Sequence, residues 1–449
     1  MPGAVESSAR ETQDRPLTAA AHASLIAALL IAAGTSLGDH VQLFLSIPLT
    51  VAGFMFACLA AAHAGSRTAL RSYRWIEIGL AMNAAVAMTV GPPSQSVRWY
   101  QIAYWTYFVA AVPIVGVVAG GTAAIRRRAI WIAILGAVAL YAATPIATPR
   151  PTIDLWTLTD ASVRGLLRGV HPYTVRAVDA TAGAYDFGYV MTVVTYMPLV
   201  LLVNAPATAV LGDYRFGLAL CLPATIALLR SAGRRLAVDD TLVNIVTLAF
   251  VLHPRGVYLV SLGWMEPWLL LALAAFVWSA ARRVEGIGAD ITFMLLPALK
   301  QYVVAPAAIY VAMRRNPWRA SAVGAAVMAA TAGPFLLADW RATLDGMFFI
   351  LRAPIAFRED SVSLVAFVAR LTSWTPPRWL GPAAQLVVGA VAYVRLRHEG
   401  LAGVLLASAL ALCASFLAGM QAFVNYYAFV VGLLLSSALV CSREGVAAA

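Results

Sequence analysis

Apolar stretches separated by short polar loops recur along the chain from about residue 19 to residue 441. Most are about 18 to 22 residues long, which is the length that an α-helix needs to cross a hydrocarbon core of roughly 30 Å. The pattern therefore predicts an all-α, polytopic transmembrane protein. The predicted single spans are 19–37, 43–64, 75–91, 100–121, 129–147, 216–230, 237–253, 265–281, 320–338, 379–395, 401–418 and 423–441.

Arginine clusters predict the direction of these helices, because Lys and Arg concentrate in cytoplasmic loops. The loops after the second and fourth spans are rich in arginine, so the fifth span is expected to run outward. Segment 287–313 lies between two arginine clusters and must cross an even number of times, which predicts two short helices with a turn near Ala298–Gln301. Segment 196–211 is expected to lie along the outer interface. The total is about 14 spans, with both termini in the cytoplasm.

The chain is expected to divide at its longest polar stretches. Residues 1–18 lack the compact basic start of a secretory signal and are expected to form a cytoplasmic tail. A four-helix membrane region of unknown role follows at 19–125. A membrane module at 126–320 contains an external loop at 148–215, and a C-terminal membrane module at 321–449 contains an external loop at 339–378.

Composition excludes several classes of protein. Of the 449 residues, 61% are hydrophobic and 12% are charged, whereas ordinary soluble domains contain roughly 25% charged residues. A soluble enzyme, a single-span receptor and a cytosolic nucleic-acid binder are therefore excluded, and the formal charge of +11 indicates membrane orientation. Neither a P-loop nor a dinucleotide-binding signature is present. The four cysteines and six histidines have no metal-ligand spacing. No cofactor is predicted, and a divalent metal requirement stays open.

The loop after the fifth span carries the candidate chemistry. An acid, Asp154, follows an outward helix, an amphipathic segment then ends in LLRGVHPY, and YMPL precedes the interfacial segment. This order resembles the first external loop of GT-C superfamily glycosyltransferases, in particular glycosyltransferase family 87, the polyprenyl-phosphate-mannose-dependent mannosyltransferases. The segments GWMEPWLLLALAAF, LPALKQYVVAPAAIYVAMRR and AFREDSVSLVAF are similar to further parts of these proteins. In the family this loop usually follows the first helix, whereas four more helices precede it here.

The resemblance implies both a fold and an activity. The fold would be GT-C-like, with two loop helices parallel to the membrane. The activity would be transfer of a sugar, most simply mannose with inversion, from a polyprenyl-phosphate donor to a glycolipid or cell-envelope glycan acceptor. We expect the active site on the extracytoplasmic face of a bacterial plasma membrane, since alanine-rich helices and arginine in place of lysine are typical of GC-rich bacterial genomes.

Sugar transfer requires a base for the acceptor hydroxyl and cations for the departing phosphate. Asp154 matches the loop aspartate of the superfamily and is the candidate general base, with helix N-capping as the alternative. Asp160 fits a helix cap better than catalysis. Arg164 and Arg168 are spaced i, i+4 and either contact a phosphate or form a solvated face.

Two ionisable residues interrupt apolar segments farther along the chain. Glu266 in GWMEP either orients the acceptor, pairs with a cation such as Arg255, or caps a helix. Lys300 is the only lysine of the chain. Its compact ammonium suits a phosphate, and snorkelling towards the interface is the alternative.

The remaining candidates are loop and interface residues. Arg352 and Arg358 either grip the donor phosphate or pair with neighbouring acids. Sugar or lipid contacts are expected from a further group, for which a loop or membrane-anchoring role is the alternative. The group consists of Trp156, His171, Tyr173, Tyr196, Arg255, Gln301 and Asp160.

Two other functional classes compete with the enzyme. A transporter or lipid-linked-sugar flippase would need binding groups near the bilayer midplane and often contains internal repeats. The predicted charges instead cluster outside the membrane, and no repeat is evident. A scaffold subunit of an envelope assembly is the third class, and loss of activity on replacing Asp154 would exclude it.

Overall fold

The computed structural model describes residues 17–38, 43–66, 69–70, 73–151, 153–177, 192–349, 361–372, 374 and 376–444. This part of the chain contains eighteen α-helices and one pair of two-residue strands, Leu17–Thr18 and Ala69–Leu70. The helices are α1 (Ala19–Ser36), α2 (Leu43–Ala62), α3 (Arg74–Val90), α4 (Arg98–Gly120), α5 (Ala123–Ala147), α6 (Asp154–Leu167), α7 (Pro198–Leu211), α8 (Arg215–Arg235), α9 (Asp240–Val251), α10 (Gly256–Ser261), α11 (Glu266–Arg282), α12 (Ile287–Leu299), α13 (Val304–Met313), α14 (Pro317–Met347), α15 (Leu364–Thr372), α16 (Leu380–Leu396), α17 (Gly400–Leu417) and α18 (Val424–Glu444).

The predicted all-α class is confirmed. Eight helices, α1, α2, α4, α5, α8, α14, α17 and α18, are long and apolar enough to cross a membrane. Helices α9, α12, α13 and α16 are apolar but have 17 residues or fewer. The protein is therefore a helical membrane protein, and the count of 14 spans stays a prediction.

Helix α1 is buried among its neighbours. Thr18 caps its N-terminus by accepting a hydrogen bond from the Ala21 N–H at 3.1 Å. Its alanine-rich surface lets α2, α3 and α18 approach closely, as small residues do between membrane helices. A methyl group on Gly53 of α2 would come within 2.6 Å of Ile31. The first helix of the chain is thus packed against the last one, and Ser437 of α18 donates a hydrogen bond to Ser24 at 3.0 Å.

Helix α14 bends where its span was expected to end, at residue 338, before an external stretch at 339–378. Asp339 has a φ of −157° and a ψ of 92°, which are not helical, and a second helical segment follows the bend and ends at Met347. Asp339 caps the segment after the bend, because its Oδ1 accepts the Ala342 N–H at 2.9 Å. Helix α15 lies within the predicted stretch as well.

The predicted pair of short helices at 287–313 is present as α12 and α13, with Lys300 at the turn between them. The open end of this pair is held by the buried carboxylate of Asp290. It pairs with Arg319 at 2.8 Å and Arg314 at 3.0 Å, and it accepts a hydrogen bond from Tyr310 at 2.6 Å. A buried charge is stable only when it is paired in this way. This network fixes the base of the hairpin, and Lys300 lies at its far end.

Candidate functional site

Asp154 begins α6, the first helix of the loop between α5 and α8. Ile153 is the N-cap residue, so Asp154 occupies the first helical turn, and its Oδ1 accepts the Leu155 N–H at 2.7 Å. The side chain is half-buried. Backbone N–H groups at a helix N-terminus favour a negative charge. Asp154 lies in the first turn of α6, seven residues after the end of the rigid helix α5.

The start of this loop is anchored by Arg215, which the sequence analysis did not single out. Its side chain is fully buried and pairs with Asp213 at 2.6 Å. It also donates hydrogen bonds to the carbonyl oxygens of Thr148 at 2.7 Å and Ser261 at 2.9 Å. Its guanidinium lies 5.3 Å from the centre of the Trp156 ring. One side chain thus joins the end of α5, the start of α8, α10 and the first turn of α6.

Glu266 and Lys300 form the most deeply buried ion pair near this loop. Glu266 starts α11 and has no exposed surface, and Lys300 at the hairpin turn is buried as well. The Lys300 ammonium donates to Glu266 Oε1. Glu266 was expected to pair with a cation such as Arg255, and the structure identifies Lys300 as that cation. Arg255 instead donates to the Ser36 carbonyl at 3.2 Å and lies over the Tyr258 ring.

Two further donors converge on the same carboxylate oxygen. Asn425 Nδ2 lies 3.2 Å from Glu266 Oε1, and the Tyr302 hydroxyl lies 3.4 Å from it. The other oxygen, Oε2, is buried and has no hydrogen-bond partner. Glu266, Lys300, Tyr302 and Asn425 are called the Glu266 cluster below. One oxygen of its carboxylate is therefore crowded with donors, and the other is unsatisfied.

Aromatic rings surround the ammonium of this cluster. Lys300 Nζ lies 4.8 Å from the ring centre of Tyr426, 5.1 Å from that of Tyr302 and 5.7 Å from that of Tyr196. The negative faces of aromatic rings attract a cation, most strongly where water is excluded. The hydroxyl of Tyr196 is buried without a hydrogen-bond partner. The backbone carbonyl of Tyr196 accepts a hydrogen bond from the Tyr173 hydroxyl at 2.6 Å, so Tyr196 connects the cluster to the loop.

Gln301 ties the hairpin turn to the loop. Its side-chain amide donates to the Thr195 carbonyl at 2.6 Å and to the Met347 carbonyl at 2.9 Å. Predicted as a substrate contact, it is engaged here with the backbone next to Tyr196 and at the end of α14. Its position keeps the Lys300 turn, the loop and α14 together.

Asp160 differs from the prediction, and the two loop arginines lie at the surface. Asp160 lies inside α6 and is not its cap, because the helix already begins at Asp154. It pairs with Arg164 at 2.7 Å, and this hydrogen bond raises the pKa of the arginine. Arg164 also donates to the Gly212 carbonyl at 2.5 Å, and Arg168 is the C-cap residue of α6. Both arginines are exposed.

His171 and Tyr173 connect the loop to α14. His171 Nε2 lies 3.2 Å from the Phe335 carbonyl, which accepts a second hydrogen bond from Thr343 at 3.1 Å. Because a carbonyl only accepts, this histidine nitrogen must be the donor. Tyr173 is buried and donates to the backbone carbonyl of Tyr196 at 2.6 Å.

The predicted phosphate contacts Arg352 and Arg358 lie outside the described residues. Within the described ranges, no group of three or more His, Cys, Asp or Glu side chains comes together to hold a metal ion.

A small apolar cavity of about 30 Å³ lies next to the Glu266 cluster, between α5, α8, α9, α10, α11 and α18. Pro267, which follows Glu266 in the chain, is part of its wall. The other walls include Tyr141, Leu222, Phe250 and Leu259. A volume of this size holds about two water molecules and is too small for a sugar or a lipid headgroup.

The sequence analysis missed three members of this site, Tyr302, Asn425 and Tyr426. A signal existed for Asn425, because an amide at the start of the apolar final helix needs a hydrogen-bond partner. For Arg215, the signal was the acid two residues earlier in the DYR sequence. In the structure, Asp213 accepts the Arg215 N–H at 2.9 Å. Searches of protein-family models, curated proteins and solved structures find no match to this chain.

Proposed function

We propose that this protein is a membrane glycosyltransferase. It transfers a sugar, most simply mannose, from a polyprenyl-phosphate donor to a glycolipid or cell-envelope glycan acceptor at the outer face of a bacterial plasma membrane. One observation carries the proposal: the buried Glu266 and Lys300 pair lies against Tyr196, a residue of the same predicted external loop that carries Asp154. A carboxylate at a helix start and a cation in a dry pocket are the two groups that the reaction requires.

The residues take separate roles in this reaction. Asp154 removes the proton of the acceptor hydroxyl as that oxygen attacks the anomeric carbon of the sugar. The bond between this carbon and the phosphate oxygen breaks, and its electron pair leaves with the polyprenyl phosphate. Lys300 stabilises the negative charge of the leaving phosphate. Attack from the face opposite the phosphate inverts the anomeric centre.

The depth of the pair supports a donor that is carried by a lipid. Helix α12 has 13 residues and α11 has 17, which correspond to lengths of about 20 Å and 25 Å. Helix α11 ends, and helix α12 begins, close to Arg282 and Arg283. In the proposed topology, which has about 14 spans and cytoplasmic termini, these arginines lie at the inner face. Since the hydrocarbon core is roughly 30 Å thick, Lys300 and Glu266 would lie below its outer boundary. A phosphate attached to a membrane lipid reaches this depth more readily than a soluble nucleotide sugar.

The test compares Asp154→Asn with Asp240→Asn in membranes that receive radiolabelled polyprenyl-phosphate mannose and total glycolipids. The two residues form a matched pair, because each is an aspartate at the first position of a helix, and Asp240 is exposed on α9. We expect a labelled product from the wild type and from Asp240→Asn, with at least a 100-fold loss for Asp154→Asn at equal protein abundance. Equal product from both variants would refute Asp154 as the base.

A transporter or lipid-linked-sugar flippase is the second candidate, and the buried ion pair of the Glu266 cluster favours it. Ionisable side chains within membrane segments often mark a translocation path. The two functions separate in vesicles with the fluorescent lipid-linked sugar placed in one leaflet. Movement of the lipid between leaflets without formation of a glycosylated product would favour the flippase, and product formation without such movement would favour the transferase.

A further inference from the structure

The Glu266 cluster has the geometry of an anion-binding site that its own glutamate fills. Three donors from two parts of the chain converge on Oε1 of Glu266: the Lys300 ammonium, the Asn425 amide and the Tyr302 hydroxyl. Lys300 and Tyr302 belong to the hairpin turn and Asn425 to α18, so these donors meet at one point only through tertiary packing. A phosphate oxygen accepts hydrogen bonds from the same kinds of donor.

The glutamate is itself poorly satisfied in this position. Its Oε2 atom is buried and makes no hydrogen bond, and a buried polar atom without a partner is costly. The Tyr196 hydroxyl close by is also buried and unpaired. Two buried polar groups around the pair of Glu266 and Lys300 thus lack hydrogen-bond partners. This is expected for a resting arrangement that changes when a ligand binds.

We infer that Glu266 is an internal counter-anion, and that a phosphate monoester or diester displaces it from Lys300, Tyr302 and Asn425. The inference rests on the proposed function, since it concerns the phosphate group of the same donor, and it adds two residues to the phosphate site. The resting pair gives Lys300 a counter-charge and positions its side chain in a dry environment. Specificity follows, because only an anion can replace a carboxylate there without leaving the ammonium unpaired.

The experiment measures binding of farnesyl phosphate, inorganic phosphate and farnesol to the purified full-length protein in nanodiscs by titration calorimetry. Glu266→Gln removes the competing charge and keeps the side-chain shape, so we expect farnesyl phosphate to bind at least tenfold more tightly than it does to the wild type. Farnesol binding should change less than twofold. Tighter binding of inorganic phosphate as well would identify a free phosphate as sufficient, whereas a gain confined to farnesyl phosphate would identify a lipid phosphate.

Two further variants test whether Lys300 mediates this gain. The double variant Glu266→Gln/Lys300→Met keeps the buried site neutral, and we expect it to lose the whole gain. Tyr302→Phe and Asn425→Leu, each in the Glu266→Gln protein, should weaken binding threefold to tenfold. Asp240→Asn removes a distant negative charge and should leave the affinity within twofold of the wild type.

Defined outcomes would overturn the inference. If the Glu266→Gln variant binds farnesyl phosphate no more tightly than the wild type does, the glutamate is not displaced. A gain that persists in the double variant would show that it arises from general charge repulsion and does not involve Lys300. The proposed function fails separately, because an intact phosphate site in a protein that transfers no sugar would refute the transferase and leave this binding site standing.

Discussion

Replacing Arg215 with lysine tests the anchor of the loop that carries Asp154. The change keeps the positive charge and removes the forked guanidinium. Arg215 donates from different nitrogens to Asp213 and to the carbonyls of Thr148 and Ser261, and its side chain is fully buried. A lysine has one nitrogen on a flexible stem and cannot reach these partners at the same time.

The magnitude follows from the lost contacts. If lysine keeps the pair with Asp213, both carbonyl hydrogen bonds at 2.7 and 2.9 Å are lost or distorted. Hydrogen bonds from a charged donor contribute about 1.5–3 kcal/mol each, which gives an upper figure of about 6 kcal/mol. Partial repacking and water entry reduce it, and disrupting a buried charged network costs about 3–5 kcal/mol. We expect the free energy of unfolding to fall by about 3–5 kcal/mol.

The assay is reversible unfolding of the purified protein in mixed micelles by titration with dodecyl sulfate, followed by tryptophan fluorescence. Arg234→Lys is the matched control, because Arg234 lies exposed at the other end of the same helix and should change stability by about 0.5 kcal/mol or less. Adding Asp213→Asn to Arg215→Lys should cost less than Asp213→Asn alone, since the two residues share one interaction. A loss for Arg215→Lys within about 1 kcal/mol of the Arg234→Lys value would show that the contacts of the guanidinium do not anchor the loop.

Two further predictions concern stability and use the same unfolding assay. Lys300→Met leaves Glu266 buried without its cation and should lower the free energy of unfolding by about 3–5 kcal/mol. The double variant Glu266→Gln/Lys300→Met should lower it clearly less, and equal losses would mean that the charge pairing is unimportant. Gly263→Ala should destabilise the protein by more than about 2 kcal/mol, because its φ is +68° and the added methyl would lie 2.1 Å from the Tyr214 hydroxyl. Gly169→Ala, with a φ of +76° and open space around it, should cost only the backbone strain of about 1–2 kcal/mol.

The sequence by itself determined the helices. Long apolar stretches must bury their backbone hydrogen bonds in helices when they lie in lipid, so α1, α2, α5 and α8 coincide with predicted spans. Charge counting alone gave the short pair α12 and α13 with Lys300 at its turn. The predicted end of a span at residue 338 coincides with the bend of α14 at Asp339, but the short helical segment that follows was not predicted, because the contacts of His171 and Thr343 with the Phe335 carbonyl are tertiary.

The sequence also marked Glu266 and Lys300 separately, since ionisable residues in apolar segments are costly and therefore conspicuous. Only the tertiary structure decided that they pair with each other. They are 34 residues apart, and the rotation of each helix about its axis, which no local pattern specifies, determines which side chains meet. The same reason explains why Asn425 and Tyr302 join this cluster, why Arg255 does not, and why Arg215 becomes the buried anchor of the loop.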